Sequence, residues 1–159
     1  MGLEVFSKND FEQLITWISS DELNYLWGGP TYSYPLTYQQ IVTHCRQPEV
    51  MPFIFKVAGQ NAGFIELFHV SDEHYRICRV FIANEYHGQG LSKEMVESVI
   101  VKAQADFGCE IISLAVFDHN TVAKNCYKSL GFNIVATELG TRSYKGKVWN
   151  LVRMEKRLS

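Results

Sequence analysis

Hydrophobic residues near the start of the chain recur with the period of an α-helix. Phe11, Leu14, Ile15 and Ile18 stand at positions i, i+3, i+4 and i+7, which predicts an amphipathic helix over residues 8–19. Weaker signals predict one preceding strand and two further helices, over residues 2–6, 21–27 and 38–47.

The middle of the chain changes to a strand pattern. Three apolar, β-prone runs over residues 53–58, 63–70 and 74–83 are separated by short polar turns, which predicts antiparallel neighbours. A helical stripe then covers residues 91–107, and a nearly continuous apolar run over 110–117 is typical of a strand covered on both faces. Because a long helix separates the strands at 74–83 and 110–117, these two strands are expected to be parallel and joined by a right-handed crossover.

The chain closes with a helix expected over residues 120–130 and two strands expected over 132–139 and 144–155, joined by a turn at 140–142. The complete order predicts an α+β (mixed α/β) fold, in which a mixed, mostly antiparallel sheet of about seven strands is flanked by about four helices. No linker or internal repeat interrupts the pattern, so residues 1–159 are expected to form a single domain.

The composition is that of an ordinary globular domain. Of 159 residues, 20% are charged and the net charge is −2, which argues against a nucleic-acid binder because such proteins need a basic surplus. The four cysteines and five histidines lack ligand spacing, so no metal site is expected. The start of the chain has no signal-peptide pattern and no apolar run is long enough for a membrane span, so a cytoplasmic protein is expected.

The segment RVFIANEYHGQGLSKE, residues 79–94, carries the first candidate site. An apolar strand runs into Gly88 and Gly90, and a long helix begins at once. The glycines permit positive φ, while the free N–H groups and the dipole of the helix N-terminus attract an anion such as a diphosphate. Taken alone, the segment is equally typical of a tight strand-to-helix turn without a ligand.

The segment LAVFDHNTVAKNCYKSLGF, residues 114–132, carries the second candidate site. Asn120 follows a strand, and Ala123 and Tyr127 stand three and seven residues later, on the same helix face. Taken alone, this pattern is more typical of a helix N-cap and a core aromatic side chain.

Together the two segments resemble the GNAT superfamily of acyl-CoA-dependent N-acetyltransferases. In that superfamily a strand leads into R/Q-x-x-G-x-G/A, and N-x-x-A-x-x-x-Y-x-x-x-G-F follows further along the chain. Here the first motif reads HGQGLS, with His87 in place of Arg or Gln and Ser92 in place of Gly or Ala, and the second motif is complete. The resemblance follows the whole chain in element order and is strongest over residues 75–133.

The resemblance implies that acetyl-CoA is the co-substrate and that the two parallel strands splay apart where it binds. Main-chain groups of Phe81 and Ile82 would hold the pantetheine arm, Asn120 would contact it, and Tyr127 would lie near the sulfur. The loop implied to hold the diphosphate of coenzyme A consists of Gly88, Gln89, Gly90, Leu91, Ser92 and Lys93.

The implied activity is transfer of an acetyl group to a primary amine, of a small molecule or a peptide N-terminus, by direct attack in a ternary complex. Tyr127 is the candidate general acid for the departing thiolate. Glu66 shares a strand face with Phe64 and Phe68, so burial is expected to suit its carboxylate to general-base work. Glu85, Asp118 or a water molecule are alternative bases.

The aromatic segment between residues 25 and 37 is the candidate acceptor site, with Trp27, Tyr32 and Tyr34 as candidate substrate contacts. The alternative is that these rings anchor the N-terminal helices to the sheet. A different function on the same scaffold also stays open: a non-catalytic acyl-CoA-binding sensor or interaction module. The sequence decides neither the acyl chain length nor whether the protein forms a homodimer.

Overall fold

The structure is a computed structural model that describes residues 2–158. Its elements follow the predicted order, and each of the five predicted helical segments forms a helix. The helices are α1 (Phe11–Trp17), α2 (Asp21–Gly28), α3 (Tyr38–Cys45), α4 (Leu91–Phe107) and α5 (Thr121–Ser129). The strands are β1 (Gly2–Val5), β2 (Val50–Val57), β3 (Gln60–Ser71), β4 (His74–Ile82), β5 (Ile111–Phe117), β6 (Asn133–Glu138), β7 (Ser143–Tyr144), β8 (Lys147–Val148) and β9 (Leu151–Arg157).

Seven of these strands form one sheet in the order β1-β2-β3-β4-β5-β9-β6. The pair β4 and β5 is parallel, and the other neighbouring pairs are antiparallel. The predicted mixed α+β class, with a mostly antiparallel seven-stranded sheet and a crossover through α4, is confirmed.

The second closing strand, predicted over residues 144–155, is wrong in its first half. Strands β7 and β8 form a separate hairpin, and only Leu151–Arg157 joins the main sheet. Lys145 and Gly146 both have positive φ, at 49° and 79°, which is the backbone of a two-residue hairpin turn. This turn divides the expected strand. The helix predicted over residues 8–19 is also shorter, because residues 8–10 form a single 3₁₀ turn before α1.

Each face of the sheet is covered by a separate hydrophobic core. The core beneath α4 and α5 contains Met95, Val99 and Ile112, all fully buried. The core beneath α1, α2 and α3 is more aromatic and includes Trp27 and Phe64. Since both faces are covered, a deep ligand site must open where neighbouring strands separate. Over residues 2–158, no helix combines the length and the apolar content of a membrane span.

Candidate active site

The parallel strands β4 and β5 separate before they end. Their register pairs residues 74–77 with 111–114, whereas β4 continues to Ile82 and β5 to Phe117. Main-chain groups of the two diverging ends therefore face a gap instead of each other. A cleft of about 1070 Å³ opens at this gap and passes between the two sides of the sheet. The splayed strand pair is thus present.

A bulge in β4 shapes one wall of this cleft. Arg79 has φ 51°, and the register between β3 and β4 shifts at this point. The extra residue reverses the alternation of side chains, so that Ile77 before the bulge and Val80 and Ile82 after it belong to the core beneath α4. Val80 and Ile82 line the cleft, while Phe81 points to the opposite side and packs against Trp17 at a centroid distance of 5.4 Å.

Two close contacts hold the bulged strand in place. The indole Nε1 of Trp27 donates a hydrogen bond to the main-chain oxygen of Arg79 at 3.0 Å. Gly63 on β3 faces the end of β4, where a Cβ atom would lie 2.6 Å from the main-chain oxygen of Phe81 and 2.8 Å from Cδ1 of Ile82. Only glycine fits there without displacing backbone.

The glycine loop that follows β4 has the geometry of an anion site. Gly88 and Gly90 have φ of 77° and 72°, and Gly90 caps the 17-residue helix α4 without a side-chain hydrogen bond. The main-chain N–H groups of Leu91, Ser92 and Lys93 precede the first intrahelical bond, which Glu94 makes to Gly90. These three donors and the positive end of the helix dipole are therefore available to an anion.

His87, which departs from the superfamily motif, has a structural partner. One of its ring nitrogens lies 2.7 Å from the main-chain oxygen of Ile82. That nitrogen must donate, because a carbonyl oxygen only accepts. His87 thereby fastens the glycine loop to the end of β4, and main-chain amides carry the anion site.

Tyr127 and Asn120 reach the cleft from α5. Tyr127 is 6% exposed and lines the cleft. Burial is the largest cause that raises the pKa of its phenol, so the hydroxyl stays protonated and can donate. Asn120 accepts a hydrogen bond from the main-chain nitrogen of Ala123 at 3.4 Å, so it caps α5 while also lining the cleft.

Glu66 is buried as expected, but it is paired there with an arginine and a histidine. Its side chain is 1% exposed, and Oε1 lies 2.9 Å from Nε of Arg79 and 2.9 Å from Nε2 of His44. Its other oxygen, Oε2, is buried and has no hydrogen-bond partner within residues 2–158. Arg79 and His44 line the cleft, and Glu66 lies behind them. A general-base role for Glu66 stays a prediction.

The three aromatic acceptor candidates lie in different places. Trp27 lines the cleft. Tyr32 is 4% exposed and stacks behind Trp27 at a centroid distance of 5.6 Å. The hydroxyl of Tyr34 donates to the main-chain oxygen of Ser19 at 2.9 Å and so fixes the loop to the end of α1.

The cleft therefore gathers most, but not all, of the residues predicted from the sequence. Those that line it are Trp27, Ile82, Gly88, Gly90, Leu91, Ser92, Lys93, Asn120 and Tyr127. Those that lie outside its lining are Tyr32, Tyr34, Glu66, Phe81 and Gln89. Sequence reasoning missed four arginines of the lining: Arg76, Arg79, Arg142 and Arg153.

Known proteins resemble this chain in sequence and in fold. The spermidine N(1)-acetyltransferase of Escherichia coli K12 is 26% identical over 117 residues, which cover 70% of this chain and 60% of the relative. The thialysine N-epsilon-acetyltransferase of Sus scrofa is 32% identical over 107 residues, covering 64% and 62%. The chain thus spans about three fifths of the length of these curated relatives.

A solved structure shows the same fold. The spermidine N-acetyltransferase from Vibrio cholerae, in complex with CoA and spermine, superposes with a TM-score of 0.85 at 14% identity, covering 98% of this chain and 94% of that chain. The sequence model of the acetyltransferase (GNAT) family matches residues 11–132. On the evidence of this match, the chain belongs to the acetyltransferase (GNAT) family.

Proposed function

We propose that the protein is an N-acetyltransferase that transfers the acetyl group of acetyl-CoA to the primary amine of a small molecule, by direct attack in a ternary complex. The observation that carries this proposal is a single cleft that joins the glycine loop, the gap between β4 and β5, and the hydroxyl-bearing Tyr127. The names of the relatives, which specify spermidine and thialysine, support a small amine as acceptor.

The residues of the cleft fit coenzyme A along its length. The diphosphate is held by the main-chain amides that follow Gly88 and Gly90, with Lys93 adding a positive charge in the first turn of α4. The pantetheine arm lies in the gap and pairs, as an added strand would, with main-chain groups near Phe81 and Ile82 other than the Ile82 oxygen, which His87 already occupies. Asn120 contacts this arm, and the acyl end lies beside Tyr127.

The protein needs to supply little covalent catalysis, because the thioester of acetyl-CoA is already activated toward attack by an amine. The amine nitrogen attacks the thioester carbonyl carbon, and a main-chain N–H of the diverging β4 segment stabilises the oxyanion. The carbon–sulfur bond then breaks, and Tyr127 donates its proton toward the departing thiolate. The amine loses its own proton to a base or to water.

The cysteines of the cleft support direct attack over a covalent acetyl-enzyme. Cys78 and Cys126 line the cleft. Burial raises the pKa of the Cys78 thiol to about 11, so it is a protonated and weak nucleophile at neutral pH. Burial likewise raises the pKa of Cys126.

Glu66, Asp118 and a water molecule are the candidates for the base. Glu66 would act through Oε2, the oxygen that neither Arg79 nor His44 occupies. Asp118, an alternative, is paired with Lys124 at 2.8 Å. The cationic side chains of the cleft favour the neutral form of a bound amine, so that a water molecule can also accept the proton.

Thiol release from acetyl-CoA, measured against a panel of primary amines, tests the proposal. Acetyl transfer to at least one amine at a rate far above hydrolysis is expected. Binding of CoA without transfer to any amine would instead identify a non-catalytic acyl-CoA sensor. A cytoplasmic location stays a prediction from the sequence.

A further inference from the structure

Within the part of the chain that the structure describes, the formally charged side chains that line the cleft are all positive. The described lining contains the side chains of four arginines and one lysine and no aspartate or glutamate. These five residues are Arg76, Arg79, Lys93, Arg142 and Arg153.

Two of these charges are already neutralised. Arg79 pairs with Glu66 at 2.9 Å, and Arg153 pairs with Glu138. Lys93 stands in the first turn of α4, where the diphosphate of coenzyme A is proposed to bind. Arg76 and Arg142 are left, and neither has a carboxylate partner in the part of the chain that the structure describes.

Each of the two arginine side chains makes a contact within the protein. Arg76 is a half-buried residue, and its guanidinium lies 5.4 Å from the centre of the Phe68 ring. Arg142 is also a half-buried residue, and its guanidinium donates to the main-chain oxygen of Thr141 at 3.2 Å. Each keeps most of its five N–H donors free for a ligand.

Their location separates them from the diphosphate loop. Tyr75 and Ile77 point into the core beneath α4, so Arg76 between them points to the opposite face of the sheet. Arg76 also stands six residues before Ile82, the last residue of β4, so it lies at most about 20 Å along the strand from the end that leads into the glycine loop.

Arg142 approaches the same face from another direction. It precedes the β7–β8 hairpin, whose Tyr144 packs against Tyr25 on α2 at 5.5 Å. The sheet is uncovered on this side at the central strand β5, where Ala115 is exposed. Arg76 and Arg142 therefore line the side of the cleft that faces α2, opposite the helix that holds the diphosphate.

We propose that the acceptor carries an oxyanion, a carboxylate or a phosphate, in addition to its primary amine, and that Arg76 and Arg142 bind this group. This inference rests on the acetyltransferase proposal and specifies its substrate class. Guanidinium groups form charge-assisted, often bidentate hydrogen bonds with such oxyanions. A polycation would instead meet uncompensated positive charge and no carboxylate on the cleft wall.

Matched amines test the proposal, because each pair differs only in the acidic group. Lysine is compared with cadaverine for the carboxylate, and phosphoethanolamine with ethanolamine for the phosphate, with spermidine as a polycationic reference. The acidic member of at least one pair is expected to have a kcat/KM about 10- to 100-fold above its partner. The pair that shows the difference identifies the oxyanion. A higher kcat/KM for cadaverine and spermidine than for both acidic amines would overturn the proposal.

Substitution of the arginines tests the assigned contacts. Arg76→Gln and Arg142→Gln, made separately, are each expected to lower the kcat/KM ratio of the matched pair about tenfold and to leave the KM for acetyl-CoA unchanged. Arg46→Gln removes an exposed charge outside the cleft lining and is the control. The proposal is contradicted if both variants have a raised KM for acetyl-CoA and an unchanged ratio of kcat/KM between the acidic amine and its partner. That result would show that the two arginines bind the coenzyme.

The two proposals fail in different ways. Transfer to cationic amines alone refutes the oxyanion site and leaves the acetyltransferase activity standing. No transfer to any amine refutes both.

Discussion

The indole N–H of Trp27 donates a hydrogen bond to the main-chain oxygen of Arg79 at 3.0 Å, across 52 residues of sequence. Arg79 is the bulged residue of β4 in the left-handed region, and it lines the cleft together with the residues of β4 on either side of it. The aromatic segment before α3 and the strand proposed to bind the coenzyme are thus joined by one bond. Trp27 holds the bulge and lines the cleft at the same time.

Replacing Trp27 tests this connection. Trp27→Phe keeps an aromatic ring but removes the donor, and it is expected to destabilise the protein by about 1–2 kcal/mol, since the Arg79 oxygen loses its partner. Urea unfolding measures the change, and kcat is expected to fall because the bulge is less firmly placed. Trp17→Phe, at a ring that packs on Phe81, is the control for lost ring area. Equal stability of Trp27→Phe and the parent protein would refute this role.

Tyr127→Phe tests the general-acid assignment. The substitution removes only the buried hydroxyl, so kcat is expected to fall about 100-fold while the KM for acetyl-CoA changes little. Steady-state thiol release gives both values. Tyr38→Phe, at an exposed ring outside the cleft lining, is the matched control. If turnover survives in Tyr127→Phe, the phenol is not the acid.

Gly63→Ala tests the close approach of β3 to the end of β4. The new Cβ would lie 2.6 Å from the main-chain oxygen of Phe81, so the strands must move apart at the point where the pantetheine arm is proposed to bind. A loss of about 1–3 kcal/mol of stability and weaker CoA binding are expected, measured by denaturation and calorimetry. Gly2→Ala meets no atom within 4 Å and should be neutral. A variant with parental stability and CoA affinity would contradict this account.

The thiol of Cys78 provides a pH-dependent readout of the cleft. Burial raises its pKa to about 11, and only the thiolate reacts with iodoacetamide. Below that pKa the thiolate fraction grows about tenfold per pH unit, so the alkylation rate should keep rising past pH ~9, where an ordinary thiol of pKa ~8.5 levels off. Mass spectrometry of the Cys78 peptide, with glutathione in the same tube, measures both rates. If the alkylation rate of Cys78 levels off at the same pH as that of glutathione, the pKa of the Cys78 thiol is not raised and the expectation is wrong.

The same experiment reports on ligand position. Cys78 lines the cleft, so bound CoA should slow its alkylation. Cys45, which lies outside the cleft lining, is the internal reference. Equal slowing at both cysteines would indicate general stabilisation instead of occupancy of the cleft.

Local sequence signals predicted the parts of the site that depend on short-range geometry. Glycine at positions 88 and 90 indicated positive φ before a helix, and both have it. The spacing of Asn120 and Tyr127 placed both on the face of α5 that lines the cleft. Strand alternation indicated that Glu66 is buried, as it is.

Contacts between distant segments could not be predicted in the same way. The partners of Glu66 come from β4 and α3, 13 and 22 residues away in sequence. The bulge could not be predicted from the sequence, because its left-handed residue is Arg79 and not a glycine. Arg142 reaches the cleft because a hairpin interrupts what the hydrophobic pattern predicts to be one strand.

Two isosteric variants at Gly90 test whether the loop from Gly88 to Lys93 binds the diphosphate of coenzyme A. Gly90 has φ 72°, which asparagine and aspartate tolerate better than other side chains, and a Cβ atom there meets no atom within 4 Å. Gly90→Asn and Gly90→Asp therefore differ in charge and hardly in shape.

Isothermal titration of CoA into the parent protein and both variants is the decisive measurement. We expect the parent protein to bind CoA with a micromolar Kd. We expect Gly90→Asp to bind CoA at least about tenfold more weakly than Gly90→Asn, and this difference in affinity should become smaller in high salt. No heat of binding from the parent protein at millimolar CoA, or equal affinities of the two variants, would contradict the account.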